Sequence, residues 1–569
     1  MLRSLKQAGR KFLPDERGNI FVLFGALAVP LLLVMGGAID VARYARHKAE
    51  LANAVDAAAL ALARKGREYT DAQATEFVTE YVSAFSLEEQ RFAIAGFQAE
   101  KIDNGFIVTA DAAMQTIFLP LGSLTGSSVG AITSMGMQVL AEVRHSSNRL
   151  ELALVLDNTG SMNCGSTVSS SCVGNWSNPG SSSRIVALKE AAHTLLDVLM
   201  TDEIDPDMIK VAVVPFEGTV NIGSTYATNP PSWVDWSNAA NAKYTGRNFG
   251  KYDFTTSATC TSGSNCVFVG HRWLFDKLTA NDATVKWEGC VEMRAEPYDI
   301  LDTTPDAGTP DTLFVPFFWP DEPDSDNDND DNYTNNYLND RTTSNGSAAQ
   351  MNLGKFLNIG WQSGKKDASF PFESGPNYGC PRPILPLTND KTAIETAIDS
   401  MVAYYAMGTF IPNGLVWGWH VLSPTEPFTE GLAPGDEHYE KTVKAVVVLS
   451  DGENFITGMS NHNKSIFSGY NYTNLSVDGS YRLGSSSAST AMTNLNARTA
   501  ALCTNAKGAS IRLYTITFGS IPQAAQDLMR DCASEDDGVE LYYHAPGTSD
   551  LQDIFHAIGE DLSEIHLSM

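Results

Sequence analysis

The amino-acid sequence predicts an α/β fold for residues 149–569, with a mostly parallel sheet covered by helices on both faces. Apolar runs of strand length alternate there with amphipathic runs of helix length, a pattern typical of parallel sheets. The alternation fails twice, which predicts large insertions at about residues 217–387 and 457–493. The predicted strands are residues 152–157, 209–216, 445–450, 511–518 and 541–543. The predicted helices are residues 184–200, 392–405, 412–422, 497–506 and 551–563.

Residues 20–39 form an uncharged apolar stretch that is long enough for a helix to cross a bilayer. Five basic residues precede this stretch and three follow it. The positive-inside rule therefore predicts a cytoplasmic N-terminus, residues 1–19, and an exported remainder. A cleaved signal peptide is the alternative interpretation, but its apolar region usually has only ~7–15 residues. We expect a retained single-pass anchor in the inner (cytoplasmic) membrane.

Residues 40–148 are predicted to form a helical stem and a small α+β module. Residues 40–65 are rich in alanine and lack proline and glycine, so the spanning helix is expected to continue through them. Thr70 and Gln73 have the spacing of a capping box before a second amphipathic helix. Asp103-Asn104-Gly105 is a hairpin signal within the strand-like region that follows. The strand-like runs are residues 92–102, 106–118 and 132–143.

The charge of the chain argues against nucleic acid as a partner. The formal net charge is −28, whereas a face that binds phosphates needs clustered Lys and Arg. Residues 1–50 carry a charge of +4, which leaves −32 for the remainder. A basic start on an acidic body indicates that the two parts lie in different places.

All eight cysteines follow the predicted membrane helix, and none forms a Cys-x-x-Cys pair. Their even number favours disulfides in an oxidising compartment over free thiols. Short separations favour the pairs Cys164–Cys172, Cys260–Cys266 and Cys503–Cys532, which leaves Cys290 with Cys380. The sequence alone does not establish this connectivity.

The first insertion is rich in Trp, Tyr, Asn, Gly, Ser and Thr and holds four of the eight cysteines. Residues 321–340 carry eight carboxylates and no Lys or Arg. Asp324, Asp326 and Asp328 stand at alternate positions, as in a calcium-binding loop, but Asn329 and Asn335 replace the glycine and the final glutamate of an EF-hand. A solvated, disordered loop is the favoured interpretation of this run. The Ser/Asn/Gly-rich residues 457–493 predict a mobile surface loop.

Oxygen-bearing side chains follow the ends of two predicted strands. Three of them alternate in the segment after residues 152–156, a threonine follows Gly408, and an aspartate is the last residue but one of the run VVVLSDG at residues 446–452. Such neutral and anionic oxygens are the ligands that Mg²⁺ prefers. The carboxyl ends of parallel strands meet at one edge of a sheet, so these segments are expected to cluster there.

These three segments resemble, in order, the metal-ion-dependent adhesion site (MIDAS) of von Willebrand factor type A domains. A threonine here takes the second position, where serine is commoner. The resemblance implies a Rossmann-like, doubly wound type A fold and a bound Mg²⁺ (or Mn²⁺ or Ca²⁺) that a carboxylate of a protein partner completes. A degenerate, purely structural site is the alternative. The implied ligands, direct or through water, are Asp157, Thr159, Ser161, Thr409 and Asp451.

The N-terminal region resembles TadG-like proteins of tight-adherence (Flp) pilus systems. The resemblance rests on Arg17-Gly18-Asn19-Ile20 at the start of the apolar stretch, on Gly36-Gly37-Ala38-Ile39-Asp40 at its end, and on the alanine-rich residues 51–62. Proteins of this family have one membrane span and a pseudopilin-like start, and many carry a type A domain behind it.

Together these patterns predict a membrane-anchored, non-enzymatic adhesion or assembly protein of a pilus system. Its partner would be a pilus or envelope protein, with no nucleic acid and no small-molecule substrate. We expect the bulk of the chain to lie in the periplasm or at the cell surface. Two alternatives stay open: a surface hydrolase that uses residues 217–387, and a structural pseudopilin with a passive type A domain.

Overall fold

The chain, described from a computed structural model, divides into two compact units, residues 1–147 and 148–568. The structure describes residues 19–65, 69–84, 92–102, 105–120, 132–144, 149–165, 167–201, 206–227, 229–236, 251–252, 267–268, 270–324, 333–342, 346–366, 370, 372–404, 407–474, 476–477 and 480–567.

The N-terminal unit consists of two helices and a three-stranded antiparallel sheet of order β1-β2-β3. The predicted capping box is present, since Gln73 N donates to Thr70 Oγ1 (3.4 Å) and Thr70 N donates to Gln73 Oε1 (3.0 Å). The elements are α1 (Asn19–Lys65), α2 (Asp71–Ala84), β1 (Phe92–Ile102), β2 (Gly105–Gln115) and β3 (Ser134–Arg144).

Helix α1 continues without a break from the apolar stretch into the stem, as the sequence predicts. The C-terminal half of α1 packs on the sheet and on α2 through buried side chains such as Leu51, Val55 and Leu62. Within the described residues, one helix, Leu23–Ala63, is long and apolar enough to cross a membrane. Its large exposed apolar side chains before Asp40 are Leu23, Phe24, Leu27, Leu31, Leu32, Val34, Met35 and Ile39.

The second unit is built on a six-stranded sheet of order β6-β5-β4-β7-β8-β9, in which all neighbours are parallel except β6 and β5. Its main elements are β4 (Arg149–Asp157), α3 (Arg184–Leu199), β5 (Ile209–Phe216), β6 (Leu385–Thr388), α4 (Lys391–Ser400), α5 (Ile411–His420), β7 (Thr442–Ser450), α6 (Ala488–Gly508), β8 (Arg512–Phe518), α7 (Gln523–Cys532), β9 (Tyr542–Ala545) and α8 (Thr548–Leu567).

The mostly parallel sheet is buried on both faces, as its continuous apolar strands require. In β4, Leu152 and Leu154 face a core shared with α3, α4 and α8. The intervening Ala153 and Val155 face the opposite core, which contains α5, α6 and α7. Both cores therefore hold the central strands rigidly, and with them the polar segments that follow.

Two elements of the sheet and its covering helices are missing from the sequence-based prediction, as is the helix His271–Asn281 in the first insertion. Strand β6 has four residues, contains Pro386 and lies antiparallel at the sheet edge, where proline is tolerated. Helix α7 is short and largely polar and buries only Ala525, Met529 and Cys532, so it contains few apolar residues that would mark it.

Further elements connect the main ones. The 11-residue helix His271–Asn281 lies in the first insertion, and short helices are Ser170–Val173, Gly346–Gln350 and Gly354–Leu357. Two-residue strand pairs are Val220–Asn221 with Cys290–Val291, Lys251–Tyr252 with Val267–Phe268, Gly408–Thr409 with Phe455–Ile456, Ser476–Val477 with Ser480–Tyr481, and Glu535–Asp536 with Val539–Glu540.

The prediction of a surface loop at residues 457–493 is wrong for much of this segment. Phe467 and Tyr472 are buried. The Phe467 ring lies 5.1 Å from that of Phe317 and 5.8 Å from that of Trp319, both in the first insertion. The two insertions therefore share an aromatic core, which the overall polarity of the second one conceals.

Three disulfides join described cysteines: Cys164–Cys172, Cys290–Cys380 and Cys503–Cys532. These pairs are the ones expected from the sequence. Cys290–Cys380 closes 90 residues of the first insertion, and Cys503–Cys532 joins α6 to α7. The remaining expected pair, Cys260 with Cys266, lies outside the described residues.

We predict that Gly414→Ala destabilises the second unit. Helix α5 crosses the sheet so closely that a Cβ at Gly414 would lie 2.5 Å from the Phe216 ring and 2.8 Å from Val155 Cγ1. Overpacking of this kind costs about 1–3 kcal/mol of unfolding free energy, measurable by urea unfolding. Gly508→Ala is the matched control, because a Cβ there meets nothing within 4 Å. Equal stability of the two variants would contradict the close packing of α5.

Candidate metal centre

The carboxyl ends of β4 and β7 meet at one edge of the sheet. The two strands are parallel neighbours, with Leu156 opposite Leu449. Asp157 ends β4, and Asp451 directly follows β7. This register places residues separated by almost 300 positions side by side, and Ser450 Oγ donates to Asp157 Oδ2 at 2.7 Å.

The segment after β4 folds back over this edge. Asp157 Oδ1 accepts a hydrogen bond from the backbone N–H of Thr159 at 2.8 Å, which turns the chain into a short helical turn, Gly160–Asn163. The hydroxyl oxygens of Thr159 and Ser161 lie 3.1 Å apart. Ser161 Oγ donates to Asp451 Oδ1 at 2.7 Å. Four of the five residues implied as ligands thus belong to one hydrogen-bonded cluster.

Thr409 arrives on a separate segment that is tied to the other two. Tyr404 N donates to Asn158 O at 2.9 Å, and Thr409 pairs with Phe455 in a short antiparallel ladder. Thr409 Oγ1 lies 3.9 Å from the position that a Cβ at Gly452 would take. Gly408 has a φ of +102° and approaches Phe455 O too closely for a Cβ, so the turn before Thr409 requires glycine.

Arg184, at the start of α3, is a buried cation at this edge. Its Nη1 donates to Asp451 Oδ2 at 2.7 Å, and its Nε donates to Gly165 O at 3.1 Å. The Arg184 and Asp451 side chains are 5% and 0% exposed, so water screens their attraction little. Arg184 therefore fixes Asp451 in the orientation that Ser161 also binds.

The two aspartates are buried like charges. Burial raises the pKa of Asp157 to about 7, and the negative charge of Asp451 adds to this shift. Burial also raises the pKa of Asp451, against the opposing effect of the Arg184 charge. When both carboxylates are ionised, the single arginine leaves a net negative charge at this edge, which a cation would offset.

The donor set fits a hard divalent cation of the kind implied by the sequence resemblance. It combines two carboxylates with the hydroxyls of Thr159, Ser161 and Thr409, and oxygens of these types suit Mg²⁺. Each carboxylate oxygen that accepts one hydrogen bond keeps a further lone pair for a metal. Within the described residues, no three His, Cys, Asp or Glu side chains cluster as a metal site; here hydroxyls make up the larger part of the set.

Two residues of the site are absent from the sequence-based prediction. Ser450 could have been recognised, because it stands inside the VVVLSDG run and directly before Asp451. Arg184 gives no such signal: it is one basic residue at a helix start, 267 positions from the aspartate that it binds.

The possible calcium site in the acidic run is described only in part. Asp324 Oδ2 accepts from Asp340 N at 3.0 Å, and Asp324 Oδ1 accepts from the Gln362 amide. Both oxygens are thus engaged within the protein. Asp326 and Asp328 lie outside the described residues, so calcium binding at this run stays a prediction.

The start of the acidic run is held in place by a buried ion pair. Asp321 and Lys355 are both fully buried, and their charged groups lie 2.6 Å apart. Asp321 also accepts the backbone N–H groups of Tyr337 and Leu338. These contacts make Asp321 a structural carboxylate of the insertion.

Comparison with known families identifies the N-terminal segment. Residues 18–64 match the model of the family described as "Putative Flp pilus-assembly TadE/G-like". This match confirms the resemblance that the sequence of the apolar stretch and the stem indicates. No curated protein matches the chain.

Several solved structures superpose weakly on the chain. The minor pilin PilB of Streptococcus sanguinis is 12% identical, with 84% of this chain and 79% of that one covered, at a TM-score of 0.29. The vWF domain of the type V pili tip protein Mfa5 of Porphyromonas gingivalis is 8% identical, with 74% and 97% covered, at 0.30. Proximal thread matrix protein 1 of the mussel byssus is 9% identical, with 74% and 47% covered, at 0.27. At these TM-scores we draw no argument from the superpositions.

We predict that Arg184→Met strongly destabilises the metal-free protein. The change leaves Asp451 buried without its cation, and breaking a buried ion pair in this way costs about 3–5 kcal/mol of unfolding free energy. The measurement is urea unfolding of the detergent-solubilised protein in EDTA. Arg530→Met is the control, because Arg530 is 37% exposed in its ion pair with Asp527 and such pairs contribute about 0–1 kcal/mol. A loss for Arg184→Met no larger than for the control would show that Arg184 is dispensable.

Proposed function

We propose that this chain, whose residues 18–64 match the TadE/G-like Flp pilus-assembly family, is a membrane-anchored, non-enzymatic adhesion or assembly protein. Its second unit would be a von Willebrand factor type A domain that binds a protein partner through a divalent cation. The observation that carries this proposal is the hydrogen-bonded cluster of Asp157, Thr159, Ser161 and Asp451 at the carboxyl edge of the sheet.

Asp157, Thr159, Ser161, Thr409 and Asp451 would hold Mg²⁺, directly or through water. Mg²⁺ takes six oxygens in near-octahedral geometry and usually keeps waters. When bound, the ion supplies a positive charge that can accept a carboxylate of the partner in place of a water. Arg184 keeps Asp451 oriented, and Ser450 keeps Asp157 oriented, so neither carboxylate has to reorganise when the ion enters.

A carboxylate ligand fits the charge of this protein only if a cation mediates the contact. The chain carries a net charge of −28, so an acidic partner would otherwise be repelled. The excess negative charge at Asp157 and Asp451 makes this edge the place where a divalent ion is attracted. The metal would thus convert a repulsive surface into an attractive one.

The anchor would be the apolar half of α1, in the inner membrane with the N-terminus in the cytoplasm. Basic residues at positions 3, 6, 10, 11 and 17 precede the span, which supports this orientation. The three disulfides support an oxidising compartment for the second unit. Residues 40–148 would form a pilin-like stem and a small α+β module that follows the membrane helix in the chain.

A non-enzymatic role is supported by the way the first insertion uses its ionisable groups. The Asp321 and Lys355 pair is fully buried and satisfied by internal hydrogen bonds. His420 Nδ1 lies 2.7 Å from Asp302 and is likewise buried. These groups stabilise the insertion.

The first test is metal binding itself. Saturating Mg²⁺ should raise the thermal midpoint of the wild-type protein, since a ligand at 100 times its Kd adds about 2.7 kcal/mol. Asp157→Asn keeps the side-chain shape but removes the charge, and should abolish the shift. Asp553→Asn, at an exposed position on α8, is the control and should keep it. An equal Mg²⁺ shift in Asp157→Asn and the wild type would refute the proposed ligand set.

The second test concerns the partner. Immobilised full-length protein should capture pili sheared from the same cells in Mg²⁺, release them in EDTA, and recapture them when Mg²⁺ is restored. Thr409→Val, which removes one ligand oxygen without changing charge, should weaken capture at least tenfold, whereas Asp553→Asn should not. Capture that survives both EDTA and Thr409→Val would instead support the structural pseudopilin with a passive type A domain.

A further inference from the structure

The connection between β2 and β3 lacks charge over an unusual length. No Asp, Glu, Lys or Arg occurs between Asp111 and Glu142, in a chain in which 19% of residues are charged. Its described start, residues 116–120, is apolar apart from Thr116, and Ile117 is 57% exposed. Water does not favour such a segment on the surface of a protein with a net charge of −28.

Asp40 on α1 binds this connection. Its carboxylate accepts the backbone N–H groups of Ile117 (3.1 Å), Phe118 (2.7 Å) and Leu119 (2.9 Å). Asp40 is fully buried and pairs with Arg43 at 3.3 Å. The irregular backbone at residues 117–119 thereby obtains acceptors from the protein and does not depend on water for them.

The two glycines before Asp40 bring the connection directly against the helix. A Cβ at Gly36 would lie only 2.6 Å from the Phe118 Cβ, whereas a Cβ at Gly37 would lie 3.6 Å from Leu119. Gly36 is therefore the position at which α1 must lack a side chain for Phe118 to dock.

These contacts set the depth of the connection along α1. Gly36 lies three residues inside the end of the apolar stretch 20–39, which is about 5 Å at a rise of ~1.5 Å per residue. The stretch is about as long as the hydrocarbon core is thick. With the stretch spanning the core, Phe118 would lie within about 5 Å of the edge of that core. The neighbouring Met35 and Ile39 on α1 are exposed.

We propose that residues 117–120 are a second membrane contact, immersed at the boundary between the hydrocarbon and the headgroups of the bilayer that α1 crosses. This inference rests on the proposed membrane anchor. The segment is compatible with a lipid environment because backbone N–H groups at that depth need acceptors within the protein. The Asp40 carboxylate accepts hydrogen bonds from three of them. In the same contact, a carboxylate at the membrane boundary finds the partners that it requires there.

The contact would hold the stem in one orientation. A helix that crosses a bilayer alone can tilt and rotate, and its orientation is set by packing and by interfacial anchors. A second apolar contact, fixed to α1 by Asp40 and Gly36, restricts both motions. The N-terminal unit would then leave the membrane at a defined angle.

The test uses the full-length protein in phosphatidylcholine/phosphatidylglycerol vesicles. A nitroxide is attached to a genetically encoded keto amino acid, so that labelling leaves the disulfides intact. The label replaces Ile117, Leu31 or Glu100 in turn. Leu31 lies within the apolar stretch, and Glu100 is exposed on β1, opposite Ile107 near the other end of β2. Collision rates with lipid-soluble O₂ and with a water-soluble Ni²⁺ chelate report depth.

We expect the ratio of the O₂ collision rate to the Ni²⁺-chelate collision rate to be several-fold higher at position 117 than at position 100. The same ratio at position 117 should be lower than at position 31. A ratio at 117 equal to that at 100, with 31 protected from Ni²⁺, would overturn this inference and leave the anchor standing. Exposure of position 31 to Ni²⁺ would remove the anchor and the inference with it. Protection of 117 from both reagents would mean that protein covers it, and would also overturn the inference.

A matched pair of glycine variants tests the docking contact. Gly36→Ala should displace Phe118 and lower the O₂-to-Ni²⁺ ratio at position 117 at least twofold, whereas Gly37→Ala should leave it unchanged. The difference follows from the Cβ distances of 2.6 Å and 3.6 Å. Circular dichroism verifies that both variants fold. An equal ratio in the two variants would contradict the role of Gly36.

Discussion

The parallel pairing of β4 with β7 is the constraint on which the rest of the second unit depends. It places Leu156 opposite Leu449, so that Asp157 at the end of β4 lies beside Ser450 and Asp451 at the end of β7. Two buried carboxylates in such proximity repel each other. The contacts that relieve this repulsion, from Ser450, Ser161 and Arg184, are the same contacts that orient the oxygens of the candidate metal centre.

The insertions are coupled to this edge as well as to each other. Glu217, at the start of the first insertion, is buried and accepts the backbone N–H of Met407 at 3.0 Å. Met407 lies two residues before Thr409, so the insertion helps to position the third segment of the site. The aromatic core around Phe317 and Phe467 also includes Met407, so it packs both insertions against the segment that carries Thr409. The two insertions therefore help to position the residues of the proposed binding edge.

In three places, a buried carboxylate fixes an irregular segment by accepting hydrogen bonds from its backbone N–H groups. Asp40 binds residues 117–119 in the N-terminal unit. Asp157 turns the segment after β4, and Asp321 binds Tyr337 and Leu338 in the first insertion. In each case the hydrogen bonds offset the cost of removing a charge from water, and a single aspartate determines the path of a loop.

The sequence by itself determined the long apolar helix, the alternation of strands and helices and the oxygen-rich segments at the strand ends, and the structure established the disulfide pairs. These features are local: apolar periodicity, turn residues and short motifs are written in neighbouring positions. Only the tertiary structure placed Arg184 on Asp451, Glu217 beside the Thr409 segment, Phe467 in an aromatic core and Asp40 under residues 117–119. Those contacts join residues 77 to 267 positions apart, and their partners are chosen by strand register and packing, which no local pattern encodes.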